Sequence, residues 1–126
     1  MNETQLLIAY AKAWNHLDVQ FLKPILADDF EYTSQWVFET MQGKETYIKY
    51  LYAKFDTIKD SHSFPQAEVA FYRNIQSKAH KPCLLITQGE VKVALLIEIH
   101  DDKIISADLV GIPNPNLAVE LRVYPK

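Results

Sequence analysis

Several scarcities narrow the reading of this chain before any pattern is sought. Only three glycines occur among 126 residues, which excludes collagen-like and glycine-rich linker structure. The single cysteine, Cys83, excludes an intrachain disulfide. Its place in an apolar run marks it as a buried structural thiol rather than a reactive one. No apolar run approaches the ~20 residues that span a bilayer; the longest, VALLI at 93–97, is the length of a strand. Lysine and arginine are scattered and the net charge is −3, so there is no general attraction to a phosphate backbone. The first residues are polar and acidic, without the cationic stretch of a signal peptide. A cytoplasmic protein is therefore expected, with neither nucleic acid nor membrane as a partner.

What is present fits one folded domain. Hydrophobic residues make up 48% and charged residues 23%, ordinary values for a globular chain. Leu6, Leu7, Tyr10, Ala13, Trp14 and Leu17 recur at helical spacing over 4–17. Asp18 opens a short second helix that Pro24 ends. Residues 30–38 alternate with period two, as a strand does. Gln42-Gly43 turns the chain into a third helix over 44–59, striped by Tyr47, Ile48, Leu51, Phe55 and Ile58. Lys44, Lys49, Lys54 and Lys59 read as its solvated face. Strands follow at 67–75, 82–87, 91–100 and 104–112, the last three as an antiparallel meander. Residues 113–126 read as a further edge strand or an ordered tail of the domain formed by 1–112. Helices come first and strands second, which predicts an α+β fold with helices on one face of a sheet.

The first strand carries an aromatic stripe, Phe30, Tyr32, Trp36 and Phe38, broken by the hydroxyl of Ser34. Facing a closed core, Ser34 would be a small packing residue; facing a cavity, it would meet a ligand. Tyr10, Trp14, Tyr32, Trp36, Tyr47 and Phe55 are candidate cavity walls. Glu98 and Asp108 are candidate pocket carboxylates whose pKa an apolar setting would raise. His16, His62, His80 and His100 show no metal-binding spacing, so no metal is expected, and no phosphate loop or other cofactor motif is present.

The stretches AYAKAWNHLDVQFLKPILADDFEY and QGKETYIKYL resemble the nuclear transport factor 2-like superfamily, which includes SnoaL-type polyketide cyclases and ketosteroid isomerases. The resemblance covers roughly residues 5–112. It implies a cone-shaped, curved antiparallel sheet wrapped round the N-terminal helices (a cystatin-like α+β roll) with a hydrophobic pocket, commonly as a homodimer. Compared with the isomerases, Tyr10 falls on the family's tyrosine, Ser34 on its aspartate base and Leu95 near its second aspartate. A serine without a base of its own does not abstract a proton near neutral pH, and leucine cannot donate to an oxyanion. The resemblance thus implies a pocket protein for an apolar, aromatic or polycyclic small molecule, without the isomerase's catalytic aspartates. Any catalysis would be cyclase-, isomerase- or hydratase-like. The alternative is a non-catalytic protein-binding module, an adaptor or a toxin-neutralising immunity protein, using the acidic groups Asp28, Asp29 and Glu31 or Asp101 and Asp102. A homodimer suits both readings, because the strand at 91–100 is apolar on both faces.

Overall fold

The computed structural model describes residues 2–34, 40–74, 80–111 and 117–123, with 73, 74, 80 and 117–123 in backbone only. Helix α1 spans Glu3–His16 and begins with a reciprocal cap, Asn2 and Gln5 each bonding the other's backbone amide. A 3-10 turn follows at Val19–Leu22, capped by Asp18 on the amide of Gln20. Strand β1 is Leu26–Ser34, β2 is Met41–Gln42 and helix α2 is Lys44–Ser61. Then come β3 (Gln66–Asn74), β4 (His80–Gln88), β5 (Val91–His100), β6 (Lys103–Gly111) and β7 (Leu117–Val123). The expected continuation of the first strand over 35–38, with Trp36 and Phe38, lies outside the described residues. Ala27, Asp28 and Asp29, expected to precede the first strand, are part of it.

The strands form one seven-stranded sheet in the order β2-β1-β6-β5-β4-β3-β7. All neighbours are antiparallel except β1 and β6, which run parallel. The expected all-antiparallel sheet is corrected at that pair: the meander β3 to β6 turns three times, and its last strand returns beside β1 in the same direction. Residues 117–123 pair with β3 as an edge strand. Register shifts interrupt the β1–β6, β5–β6 and β3–β7 ladders. Such bulges bend a strand and increase its twist, and the sheet is curved and unclosed.

The turns follow local chemistry. Gly43 begins α2 at φ 97°, a backbone that disfavours a side chain. Asp101 and Asp102 both take left-handed conformations between β5 and β6, as a tight two-residue hairpin requires.

Helix α1 lies on β3 and β4, and α2 on β1 and β2. The inward positions are Phe30 and Tyr32 on β1, Ala67 and Val69 on β3, and Leu84 and Ile86 on β4. Leu95 and Ile97 on β5 and Ala107 and Leu109 on β6 join them in one core with the helices. Each large side chain buried there stabilises the fold by about 1.5–3 kcal/mol. One polar contact locks α1 to the sheet. The Asn15 carboxamide accepts from the amide of Ala67 at 2.7 Å and donates to its carbonyl at 3.0 Å. The β7 ladder starts only at Val69, so Asn15 serves the backbone of Ala67 where no strand does. Substitution Asn15→Ala would leave both groups of this fully buried residue without a partner. The expected loss is about 1–3 kcal/mol per orphaned group, measured by urea denaturation; an unchanged midpoint would contradict this role.

Candidate functional site

From Phe30 on, the first strand places its even-numbered side chains inward. Phe30 packs on Tyr47 with ring centroids 4.7 Å apart, and Tyr32 packs on the other side at 5.0 Å. Tyr10 of α1 and Tyr47 of α2 are fully buried, and their hydroxyls bond each other. Both are 0% accessible, so no space that would hold a water adjoins them. Tyr32 bonds in turn with Tyr50 and Ser34. The serine in the aromatic stripe therefore has a local partner, the phenol two residues before it.

Burial pushes the phenols of Tyr10, Tyr32 and Tyr47 well above the ordinary value, because the charged phenolate loses its hydration. For Tyr10 the bond from Tyr47 acts the other way. For Tyr32 the nearby Tyr50 raises it further, and Ser34 opposes. Burial likewise pushes the Cys83 thiol up to about 12.

Towards the far end of the same interior the packing opens. One turn beyond Tyr10 on α1 stands Trp14, and two turns beyond Tyr47 on α2 stands Lys54. With Ile86 and Gln88 of β4, Val91 and Val93 of β5 and Leu109 of β6, they line a cavity of about 220 Å³. Ser34 is the register partner of Leu109, so β1 ends beside it. The Trp14 ring meets Phe55 edge-on at 5.0 Å. The Lys54 ammonium lies over two aromatic faces, 5.9 Å from the centroid of Trp14 and 5.8 Å from that of Tyr50, within cation–π range. The Nε1 of Trp14 is buried and has no hydrogen-bond partner among the described residues.

The expected site residues thus fall into three groups. Tyr10, Tyr32, Ser34 and Tyr47 come together, with Tyr10 and Tyr47 closed against each other. Trp14 lines the cavity and Phe55 supports it from behind. Glu98 and Asp108 are corrected: each alternates with core residues on its strand, so both stand on the sheet's opposite face. There Asp108 accepts from the Thr33 hydroxyl at 2.9 Å and faces Leu96 across the ladder. Glu98 borders a separate open depression with Glu3 and Lys81. Trp36 lies outside the described residues. Lys54, assigned from its spacing to a solvated face, is the cavity-lining residue that the sequence reading missed. Its i−4 neighbour Tyr50, on the same side of the helix, is the signal that would have found it.

The outer face holds a small second cluster, Ala70, Cys83 and Leu85, with Tyr72 and Leu96 partly buried against it. Glu31, Glu98 and Asp108 share that face with Lys81 and Lys92. Among the described residues no charged side chain is buried, and no group of His, Cys, Asp and Glu is placed to hold a metal. No described helix is long and apolar enough to cross a membrane.

This architecture, two helices on a curved mixed sheet with its cavity at one end, is the nuclear transport factor 2-like fold. Comparison with solved structures shows it directly. A nuclear transport factor 2-like protein of unknown function from Cytophaga hutchinsonii superposes with a TM-score of 0.62 at 14% identity, over 91% of this chain and 94% of that one. A LEH-like epoxide hydrolase of M. tuberculosis gives 0.54 at 14%, over 86% and 79%. A protein with a ketosteroid isomerase-like fold from Catenulispora acidiphila, in complex with trimethylamine, gives 0.54 at 16%, over 91% of each chain. No protein-family model matches the sequence, and no curated protein does. At these identities the likeness is one of fold.

Two outcomes test the closed tyrosine pair. Tyr10→Phe or Tyr47→Phe alone strands one buried hydroxyl and is expected to cost about 1–3 kcal/mol, whereas the double substitution costs less than the sum of the two. Denaturation of the four proteins in this cycle measures it, and strict additivity would refute the pairing. The raised phenols also fix the sign of the alkaline response. The neutral form is favoured in the folded state, so this stabilisation is complete below the ordinary value of 10.0 and is lost as pH rises above it. Phenolate absorbance should show Tyr10, Tyr32 and Tyr47 ionising only as the protein unfolds.

Proposed function

We propose that this chain is a small-molecule-binding protein of the SnoaL-like type, its ligand an apolar or aromatic molecule seated beside Trp14. The observation that carries this reading is the apolar cavity of about 220 Å³ bounded by Trp14, Ile86, Val91, Val93 and Leu109. Concave, largely apolar spaces with a few polar groups are the usual form of ligand sites. The relatives in fold include an epoxide hydrolase and a trimethylamine complex, so the fold is one that accommodates small molecules.

The size narrows the ligand. A dry cavity of about 150 Å³ lined by aliphatic side chains holds a benzene, so the space here takes in one ring or a short hydrocarbon, its outer edge open where Val91 is exposed. The reading is one of binding and not of steroid isomerisation. Ser34 is occupied with Tyr32, Leu95 is a buried core residue on β5, and the carboxylates Glu98 and Asp108 are on the other face. A general base must reach the proton it removes, and none of these does.

Titration with toluene or indole, followed by tryptophan fluorescence, should show saturable quenching. Val93→Trp, which fills the cavity from the sheet side, should weaken binding at least tenfold. An absence of saturable quenching with either compound would end this reading.

A further inference from the structure

We infer that the occupant of this cavity is a small monocarboxylic acid, its hydrocarbon body against Trp14, Val93 and Leu109 and its carboxylate paired with the Lys54 ammonium. This rests on the binding function proposed above and specifies the ligand's charge. Lys54 is partly buried at the cavity wall. Among the described residues its ammonium has no carboxylate within ion-pair distance, although the chain carries 16 acidic residues. What holds it is the pair of aromatic faces, Trp14 at 5.9 Å and Tyr50 at 5.8 Å. A cation held over ring faces keeps its N–H donors free. Those donors stand beside an apolar surface, where a carboxylate would be drawn out of bulk water and paired in a low-dielectric setting.

A second group points the same way. The Trp14 Nε1–H is a buried donor without an acceptor among the described residues, in a residue that is 6% exposed and lines the cavity. Buried donors in folded proteins are nearly always satisfied. A ligand that brings acceptor oxygens answers the Lys54 ammonium directly and, once the indole turns its N–H towards the cavity, Trp14 as well. The Gln88 carboxamide, also at the cavity, gives one of its two N–H groups to the carbonyl of Ser63 at 2.6 Å. A cationic ligand would place its charge against Lys54, so an amine is disfavoured here, unlike in the trimethylamine-bound relative.

The test uses the full chain, labelled with 15N, and three compounds of one shape: phenylacetate, phenylacetamide and phenethylamine. Each is titrated at neutral pH while the indole N–H resonance of Trp14, assigned through Trp14→Phe, is followed. Phenylacetate should bind at least tenfold more tightly than phenylacetamide, and phenethylamine least tightly of the three. Lys54→Met should bring phenylacetate down to the affinity of the amide and leave the amide within about twofold, and Lys54→Arg should retain the preference for the acid. Equal affinities for acid and amide, or a preference for the amine, would overturn the carboxylate assignment while leaving the binding function standing, provided Val93→Trp still blocks the site. Failure of all three compounds to shift the Trp14 resonance would overturn both.

Discussion

The inner architecture depends on how the concave side of the sheet is filled. Tyr10 and Tyr47 meet hydroxyl to hydroxyl between the two helices, with Phe30 and Tyr32 packed at a tilt against Tyr47 from β1. Two helices and a strand are thereby held at one place by aromatic packing and one buried polar contact. Large rings pack with high buried area and specific geometry, and an unmatched hydroxyl there would be costly, so this contact sets the spacing of the layers. It also decides where space is left. The interior is closed around the tyrosine pair, and a cavity lies beyond it, between Trp14, Lys54 and the β4–β5 hairpin.

That division separates this chain chemically from the isomerase arrangement its sequence resembles. The tyrosine corresponding in position, Tyr10, spends its hydroxyl on Tyr47 and touches no open space. Ser34 stands where the resemblance places a base, and it serves Tyr32. The polar groups at the hollow are the Lys54 ammonium, lying over two aromatic faces, and the Gln88 carboxamide. The fold is shared with proteins of differing chemistry, and a fold alone does not assign one.

The two faces of the sheet carry different work. The inner face is continuous with the helices and has no buried charge among the described residues. The outer face carries the carboxylates, with Asp108 tied to Thr33, round a small cluster at Cys83 and Leu85. The Cys83 thiol is held protonated by burial, which makes it a packing group.

Much of the element order was legible in local pattern. Helical spacing marked α1 and α2, alternation marked the strands, and Asp18, Gly43 and the Asp101-Asp102 turn marked the boundaries, because caps and turns depend on a few neighbouring residues. Alternation also showed that Phe30, Tyr32 and Ser34 share a side. It could not say which side of β5 and β6 meets the helices, since both carry apolar residues, so Glu98 and Asp108 were expected in the pocket. Nor could spacing show that Lys54 leaves the solvated face to lie over Trp14 and Tyr50, since those two rings come from different helices. The sequence by itself determined the segments and their amphipathic faces, which short-range periodicity encodes. Only the tertiary structure decided that the tyrosines close one part of the interior and that Trp14 and Lys54 border the open part. Both depend on contacts between residues 37 or more positions apart, and no local pattern specifies those.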